Sequence, residues 1–345
     1  MKIALLAPFE EPVPPLKYGG IELVVYNLAE ELHRKGHDVT LFASGDSHTS
    51  AKLEECVPKA IRTLNVAKNN KTRVALNYQG LAKAIEIINK EKFDIVHNHL
   101  GWPLLLFMHT LNCPVITTLH GTLADPTERL MYDKYRDSAY VSISDSQRRH
   151  GPNLNYVATV HNGIDTDAFS FSNKPGDYLA FLGRISPEKG PGYAIEIARK
   201  TGQRLIMAAK IDPVDISYFE ETVEPLIDGD LVSFLGEVGH EAKVKLLKNA
   251  KALLSPLQWD EPFGLANVEA MACGTPVIAI NRGSMPEVIL NGKTGYLCSN
   301  IDEMIDRVAD IDKISRQACR AHVEDSFSSK LMAERYLKTY AKFIK

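Results

Sequence analysis

The sequence predicts an α/β fold made of two Rossmann-like, doubly wound domains. In the first half, short apolar strands alternate with amphipathic helices, which is typical of a parallel sheet with right-handed crossovers. The same alternation starts again near residue 178. The stretch between, residues 161–177, is rich in Gly, Asn, Asp, Ser and Pro, as expected of a linker. The 345 residues also exceed what one ordinary core accommodates.

The predicted elements follow from these periodicities. In the first half we predict strands at 2–8, 38–44, 93–99, 114–121, 139–144 and 156–163, with helices at 21–36 and 77–91. In the second half we predict strands at 178–184, 204–210, 231–237, 252–257 and 276–280, with helices at 189–200, 215–227, 240–250 and 265–273. These elements predict an N-terminal domain over residues 1–162, a C-terminal domain over 163–326 and a terminal amphipathic helix over 327–345.

Composition excludes several classes of protein. The net charge of −3 does not favour nucleic acid as a partner. The five cysteines are scattered and form no C-x-x-C pair, which argues against a disulfide framework and a zinc site. The first apolar run is short and meets Glu10 and Pro12, unlike a signal peptide. No apolar run approaches the ~20 residues of a membrane span. We expect a cytoplasmic protein without a bound metal.

Two loops that follow predicted strands are candidate anion sites. Gly19 and Gly20 stand directly before the first helix, where glycine lets backbone amides approach an anion at the positive end of the helix dipole. A flexible turn is an equally good explanation of this pair. The segment GRISPEKG (183–190) places Arg184 and Lys189 within reach of one pyrophosphate, although a solvated turn also explains it.

The stretch WDEPFGLANVEAMACGTPV (259–277) is the third candidate. Glu261 stands before a predicted helix and Glu269 inside it. If residues 263–266 enter the helix, their amides are free to bind phosphate or sugar oxygens. Glu261 would then accept hydrogen bonds from sugar hydroxyls, and Glu269 suits the vicinal diol of a ribose. The alternative is a first-turn helix acid next to a solvated loop charge.

These motifs together resemble those of the retaining family 4 glycosyltransferases. E-P-F-G-x-x-x-x-E-A-M-A-x-G-T-P-V resembles the E-x7-E signature, GRISPEKG the diphosphate loop, YGGIE the N-terminal glycine loop and HNGID the interdomain hinge. The resemblance extends over nearly the whole chain. It implies the GT-B architecture, in which two Rossmann-like domains face a central cleft and the last helix packs back on the first domain.

The resemblance also implies an activity and a set of roles. The activity is transfer, with retention, of a hexose from a nucleoside-diphosphate sugar to a hydroxyl of a sugar, glycan or lipid-linked acceptor, with no cofactor. The implied catalytic residues are Glu261, His120, Arg184 and Lys189. The implied donor-binding residues are Gly19, Gly20, Arg184, Lys189, Val238, Lys243, Glu261, Phe263, Gly264, Leu265 and Glu269. The acceptor-side candidates are His97 and His99.

The base of the donor stays open at this stage. Guanine-specific relatives often carry Asp and then Lys three residues later, whereas this chain has His240 and Lys243 there. Both GDP-mannose and UDP-hexose therefore remain candidate donors. A basic segment, 59–73, carries Lys59, Arg62, Lys68, Lys71 and Arg73 and no acid. It predicts either a solvated mobile loop or peripheral contact with an anionic membrane surface, such as the inner membrane face.

Three rival functions are weighed against glycosyl transfer. A non-hydrolysing sugar-nucleotide epimerase would share the architecture and bind donor without acceptor. An NAD-dependent dehydrogenase is disfavoured because the chain lacks G-x-G-x-x-G after its first strand. A catalytically inactive sugar-nucleotide-binding protein is disfavoured because both acids and both bases are present.

Overall fold

A computed structural model describes residues 1–64 and 69–344 of the chain. They form two compact units, each with its own parallel sheet. The first unit contains Met1–Ile164 and Ser329–Lys345, and the second contains Asp165–Ser328. This is the predicted fold class of two parallel-sheet, Rossmann-like domains.

The first unit is built on seven parallel strands. They are β1 (Lys2–Leu6), β2 (Asp38–Ser44), β3 (Lys52–Val57), β4 (Ile95–Asn98), β5 (Val115–Leu119), β6 (Ala139–Ser142) and β7 (Tyr156–Thr159). Their order is β3-β2-β1-β4-β5-β6-β7, so the winding direction reverses between β1 and β4. The His99 amide donates to Leu6 O at 2.9 Å and joins the ends of these two strands. Loops at such a switch point are the usual place for ligands.

The second unit has six parallel strands. They are β8 (Tyr178–Arg184), β9 (Arg204–Lys210), β10 (Val232–Phe234), β11 (Ala252–Ser255), β12 (Val277–Ile280) and β13 (Gly295–Cys298). Their order is β10-β9-β8-β11-β12-β13, which puts the switch point between β8 and β11. The loops that follow β8 and β11 carry the segments 183–190 and 256–264, so two of the three candidate anion sites meet at one edge of this sheet.

The helices cover the faces of both sheets. In chain order they are α1 (Gly20–Arg34), α2 (Asn70–Lys90), α3 (Pro126–Lys134), α4 (Pro191–Thr201), α5 (Ile216–Tyr218), α6 (His240–Lys248), α7 (Leu265–Ala272), α8 (Met285–Val288), α9 (Ile301–Asp310), α10 (Arg316–Ser326) and α11 (Ser329–Tyr340). Several begin at a capping side chain: Asn69, Asp125, Asn300 and Ser315 each accept at least one amide of the following turn. In residues 1–64 and 69–344, no helix combines the length and apolar character that crossing a bilayer requires.

Helix α11 packs within the first unit. The Ser329 amide donates to Ile164 O at 2.8 Å, and its hydroxyl donates to Glu31 of α1 at 3.0 Å. Tyr336 and Tyr340 are fully buried. The last helix is therefore part of the core of this unit.

Most predicted helices and strands are present in the structure, but the prediction of a helix over 215–227 was wrong. The segment from Pro213 to Leu226 forms a series of short 3-10, α and π turns instead. Pro225 contributes to this outcome because it lacks the amide that a continuous helix needs. Several predicted strands were too long, because their last residues lie beyond the observed strand ends: 2–8, 93–99, 114–121, 139–144, 156–163, 231–237 and 252–257.

Candidate functional site

The loops after β8 and β11 are joined to each other at the switch point of the second unit. The Gln258 amide donates to Glu188 O at 2.8 Å. Gly190 lies so close to Pro256 that an added Cβ would stand 2.2 Å from its carbonyl oxygen, and its φ of 69° also favours glycine. This close approach brings the end of one loop, Lys189, to the middle of the other, Glu261.

Lys189 and Glu261 form an ion pair supported by an indole. The Lys189 ammonium contacts Glu261 Oε2, and Trp259 Nε1 donates to the same oxygen at 3.0 Å. The ammonium also lies 5.1 Å from the centre of a Trp259 ring. The Lys189 and Glu261 side chains are only 18% and 12% exposed. A cation fixed at the edge of the sheet, with a carboxylate beside it, is able to bind one anionic and one hydroxyl-bearing group side by side.

The backbone of Glu261 is held by the loop that follows β12. Ser284 donates to Glu261 O from its amide at 3.0 Å and from its hydroxyl at 2.9 Å. Gly283 has a φ of 59°, and a Cβ there would stand 2.5 Å from the Glu261 amide nitrogen. Sequence reasoning missed both residues. Their position directly after a predicted strand, at the same sheet edge, was the available signal.

Helix α7 begins at Leu265, where the helix was predicted, but two residues after Phe263, the first of the candidate amides. Gly264, with a φ of 84°, is its N-cap, so Phe263 precedes the helix rather than entering it. The Phe263 ring is buried and packs edge-on against Phe327. The Asn267 amide donates to Gly264 O at 3.0 Å, so the amides that remain suited to anion binding at the start of the helix are those of Leu265 and Ala266.

A second lysine–carboxylate pair lies on α7 and α6. Glu269 is 5% exposed, and its Oε1 lies 2.5 Å from the Lys243 ammonium. That ammonium also stands 5.5 Å from the ring centre of Phe169. The start of α7 thus lies in sequence between Glu261, paired with Lys189, and Glu269, paired with Lys243.

Arg184 has a set of carboxylates of its own. Its guanidinium contacts Glu188 and lies 3.7 Å from Asp212 and 3.6 Å from Asp215. Burial raises the pKa of Asp215, against the lowering effect of Arg184. Arg184 thus contacts carboxylates on the loops after β8 and β9, whereas Lys189 contacts Glu261 on the loop after β11. Asp212 and Asp215 were not predicted as partners of Arg184, and their position shortly after β9 was the only available signal.

The expected base-side residues lie at the start of α6. Val238 is in the turn between β10 and α6 and is partly exposed. His240, at the position where guanine-specific relatives carry an acid, has its Nε2 2.9 Å from Ala168 O. Its ring packs edge-on against Phe169 at 5.1 Å. His240 therefore contacts Ala168 and Phe169, which lie in the first few residues of the second unit.

In the first unit, Gly19 and Gly20 mark the start of α1. Gly20 is the first helical residue and Gly19 the N-cap. A Cβ on Gly19 would stand 2.5 Å from Pro15 Cβ and 3.1 Å from Glu22 Oε2, so the absence of a side chain is also needed for packing. Glu22 is 6% exposed, and burial raises its pKa to about 7, with Glu10 and Glu11 adding to the shift and Arg62 opposing it.

Glu22 is expected to make the stability of the protein depend on pH. Its folded pKa of about 7 exceeds the ordinary 4.5, so its stabilising contribution is complete below about pH 4.5 and is lost as the pH rises through 7. We expect Glu22→Gln to remove this loss, which amounts to about 3 kcal/mol. Denaturant unfolding of both proteins at pH 5 and pH 8 measures it. Parallel pH profiles for wild type and variant would contradict the expectation.

Two of the positive charges in the basic segment 59–73 are paired with acids. Arg62 contacts Glu11, and Arg73 Nε lies 2.9 Å from Glu10 Oε1, so acids from the loop after β1 neutralise two of its charges. Lys71 and Arg73 lie on α2, which corrects the prediction of a mobile loop for this end of the segment. Lys68 lies outside the described residues.

Three candidate histidines meet at the ends of β4 and β5. His97 and His99 are buried with ring centroids 3.9 Å apart, and His99 Nδ1 lies 2.8 Å from His120 Nε2. His97 also contacts Thr118 Oγ1 and the Tyr340 hydroxyl, each at 2.7 Å. Across residues 1–64 and 69–344, no group of three or more His, Cys, Asp or Glu has the arrangement of a metal site.

Comparison with known proteins agrees with this architecture. The model of Glycosyltransferase Family 4 matches residues 18–168, and that of Glycosyl transferases group 1 matches residues 165–322. Together the two models span residues 18–322 and support a glycosyltransferase, and the two Rossmann-like units correspond to the GT-B fold of its structural neighbours.

Individual relatives are distant. The D-inositol 3-phosphate glycosyltransferase of Mycolicibacterium smegmatis is 26% identical over 89% of this chain and 82% of its own length. Sucrose-phosphate synthase of Thermosynechococcus elongatus has a TM-score of 0.81 at 20% identity, covering 99% of this chain and 98% of that one. HepE of Anabaena, solved with UDP and glucose, has a TM-score of 0.77 at 19% identity and covers 99% and 100%.

Proposed function

We propose that the protein is a retaining hexosyltransferase that uses a nucleoside-diphosphate sugar and transfers the hexose to a hydroxyl of a sugar, glycan or lipid-linked acceptor. The observation that carries this proposal is the pair of lysine–carboxylate contacts on either side of the start of α7, Lys189–Glu261 and Lys243–Glu269. Such an arrangement suits a ligand with a diphosphate in the middle, a hexose at one end and a ribose at the other.

The donor would occupy the second unit in a defined direction. The diphosphate would lie at Lys189 and the first amides of α7, where a cation and a helix dipole both favour negative charge. The hexose hydroxyls would bind Glu261. The ribose diol would bind Glu269, and the base would lie near Val238. The Lys243 ammonium contacts the Glu269 carboxylate and would orient it toward the ribose.

The proposed reaction is a substitution on one face of the sugar. The bond between C1 and the diphosphate oxygen breaks, and the acceptor oxygen bonds to C1 on the same face. The acceptor proton passes to the leaving diphosphate, so the reaction needs no other base. Lys189 and the α7 amides stabilise the departing charge. Arg184 adds a second cation when phosphate replaces one of its three carboxylate partners. Roles in the reaction are also proposed for Gly19, Gly20 and His120, which belong to the first unit.

We propose UDP-sugars and GDP-mannose as candidate donors and inositol phosphate as a candidate acceptor. HepE is known with UDP and with UDP-glucose, which supports a UDP-sugar, and the retained Lys243 keeps GDP-mannose in the set. The name of the mycobacterial relatives makes inositol phosphate a first acceptor to try. The proposal requires no metal or cofactor.

Product analysis tests this proposal and separates it from its rival. The protein is incubated with UDP-glucose, UDP-galactose or GDP-mannose, with and without an acceptor panel that includes inositol phosphate, and the products are followed by NMR. Transfer predicts a new α-glycoside and release of the nucleoside diphosphate only when acceptor is present. Conversion of a donor to its epimer without acceptor would instead establish the epimerase, and neither outcome with any donor would overturn the proposal.

Cytoplasmic location and peripheral contact with an inner membrane face are also proposals. Contact with the membrane draws little support from segment 59–73, because Arg62 and Arg73 are paired with acids. Cosedimentation with vesicles containing anionic lipid tests it. Binding that disappears at 0.5 M salt, roughly where screening becomes strong, would support the contact, and no binding at low salt would exclude it.

A further inference from the structure

Three histidine rings of the first unit form a hydrogen-bonded chain that ends on the last helix. His120 Nε2 lies 2.8 Å from His99 Nδ1, and His99 Nε2 lies 3.2 Å from His97 Nδ1. The same His97 nitrogen lies 2.7 Å from the Tyr340 hydroxyl of α11. The chain therefore connects the partly exposed His120 to a fully buried tyrosine from a segment 243 positions after His97.

All three rings are neutral near pH 7. Burial lowers the pKa of His97 and His99 well below the ordinary value, and the neighbouring histidines lower both further. Burial also lowers the pKa of His120 to about 4. A neutral imidazole has one N–H and one bare nitrogen, so each bond in the chain fixes which nitrogen of the next ring carries the proton.

Only two proton arrangements satisfy the whole chain. In the first, Tyr340 donates to His97 Nδ1, and His97 donates from Nε2 to Thr118 Oγ1. His99 donates from Nε2 to the same His97 Nδ1, whose single lone pair is shared between Tyr340 and His99 in a three-centre bond. His120 then donates from Nε2 to His99 Nδ1, which leaves His120 Nδ1 bare. The second arrangement reverses every bond and puts the His120 proton on Nδ1.

Tyr340 decides between the two arrangements. Among the described residues, His97 is the only hydrogen-bond partner of its hydroxyl, so the second arrangement leaves a buried O–H with no acceptor. Thr118 does not decide, because its hydroxyl both donates and accepts and also lies 2.9 Å from the Tyr336 hydroxyl. The Tyr340 hydroxyl therefore determines the direction in which the hydrogen bonds of the three histidines run.

We propose that Tyr340 is a positioning residue that holds His120 as its Nε2–H tautomer and so presents a bare Nδ1 as a hydrogen-bond acceptor. Within the described residues, no hydrogen bond is made to that nitrogen. The use of this acceptor by a substrate hydroxyl rests on the proposed function, which assigns His120 to the reaction. The tautomer itself does not depend on that assignment.

The test compares two tyrosines on the same helix. Tyr340→Phe and Tyr336→Phe each remove one hydroxyl from a fully buried ring, one helical turn apart. The protein is labelled with ¹⁵N-histidine, and nitrogen shifts distinguish protonated from bare ring nitrogens. The His120 signals are assigned by their loss in His120→Asn. In the wild type and in Tyr336→Phe, we expect the His120 tautomer with a bare Nδ1 to be at least about tenfold more populated than the other tautomer. In Tyr340→Phe we expect this ratio to fall toward parity.

The outcomes separate the tautomer from the reaction. A wild-type His120 protonated at Nδ1, or equal effects of the two variants, would overturn the proposal. If wild type transfers hexose, we expect Tyr340→Phe to lower kcat several-fold at unchanged donor binding, with little change in Tyr336→Phe. A tautomer shift without a change in kcat would remove the positioning role. Absence of transfer by the wild type would count against the proposed function alone, because the NMR result does not require it.

Discussion

Lys189→Met is expected to weaken binding of UDP or GDP by roughly 10- to 100-fold. One charge-assisted bond to phosphate contributes about 1.5–3 kcal/mol, and 1.4 kcal/mol corresponds to a tenfold change in affinity. The variant also leaves Glu261 without its cation, so the phosphate meets an uncompensated carboxylate. Calorimetric titration with the nucleoside diphosphate measures the loss.

A control ligand without phosphate and a control lysine variant make this prediction specific to the Lys189–phosphate contact. The parent nucleoside, which has no phosphate, should bind Lys189→Met and wild type with equal affinity. Lys200→Met is the control, because Lys200 pairs with Glu196 on the exposed side of α4 and its side chain is 51% exposed. Equal loss of nucleoside and diphosphate affinity, or unchanged diphosphate affinity, would contradict the role of Lys189 as the phosphate cation.

Arg316→Met is expected to destabilise the second unit by about 3–5 kcal/mol. The Arg316 guanidinium is buried and donates to three carbonyls, Ser172 O, Ala250 O and Lys248 O, and to Thr275 Oγ1, all at 2.7–2.9 Å. Methionine fills similar space but leaves these buried acceptors without a donor. The loss is a large part of the 5–15 kcal/mol that ordinary proteins have in total.

Denaturant unfolding of the full chain measures this loss. Arg199→Met is the control, since the exposed Arg199 donates to one carbonyl, Leu226 O, at 3.1 Å, and it should cost less than about 1 kcal/mol. Arg316→Lys keeps the charge without the planar fork and should recover only a minor part of the stability. Equal stability of the two methionine variants would show that Arg316 does not organise this unit.

The sequence predicted the elements and loops whose signals are local. The pattern YLAFLGR predicted β8 with its observed bounds. The basic pair of 183–190 and the two glutamates of 259–277 identified the two joined loops. Contacts between segments that are distant in the sequence could not be predicted from these local patterns. Asp212 meets Arg184 from the next strand over, and Ser284 supports Glu261 from the loop after β12. Nothing local to either residue indicates such a partner.

The same limit applies to the histidine chain. His97 and His99 could be assigned to one face of a strand because side chains alternate along it. Their link to Tyr340 could not be predicted, because it depends on where a helix from the end of the chain packs. The failed helix at 215–227 has a different cause. Its apolar spacing fits a helix, but Pro225 and the local α, π and 3-10 turns divide it into short pieces.

A crystal structure with the bound nucleoside diphosphate tests the central claim most directly. The proposed function predicts phosphate oxygens within hydrogen-bonding distance of the Lys189 ammonium and the Leu265 amide, and both ribose hydroxyls at the Glu269 carboxylate. A diphosphate held elsewhere on the chain, or a ribose away from Glu269, would contradict the assignment of this sheet edge as the donor site.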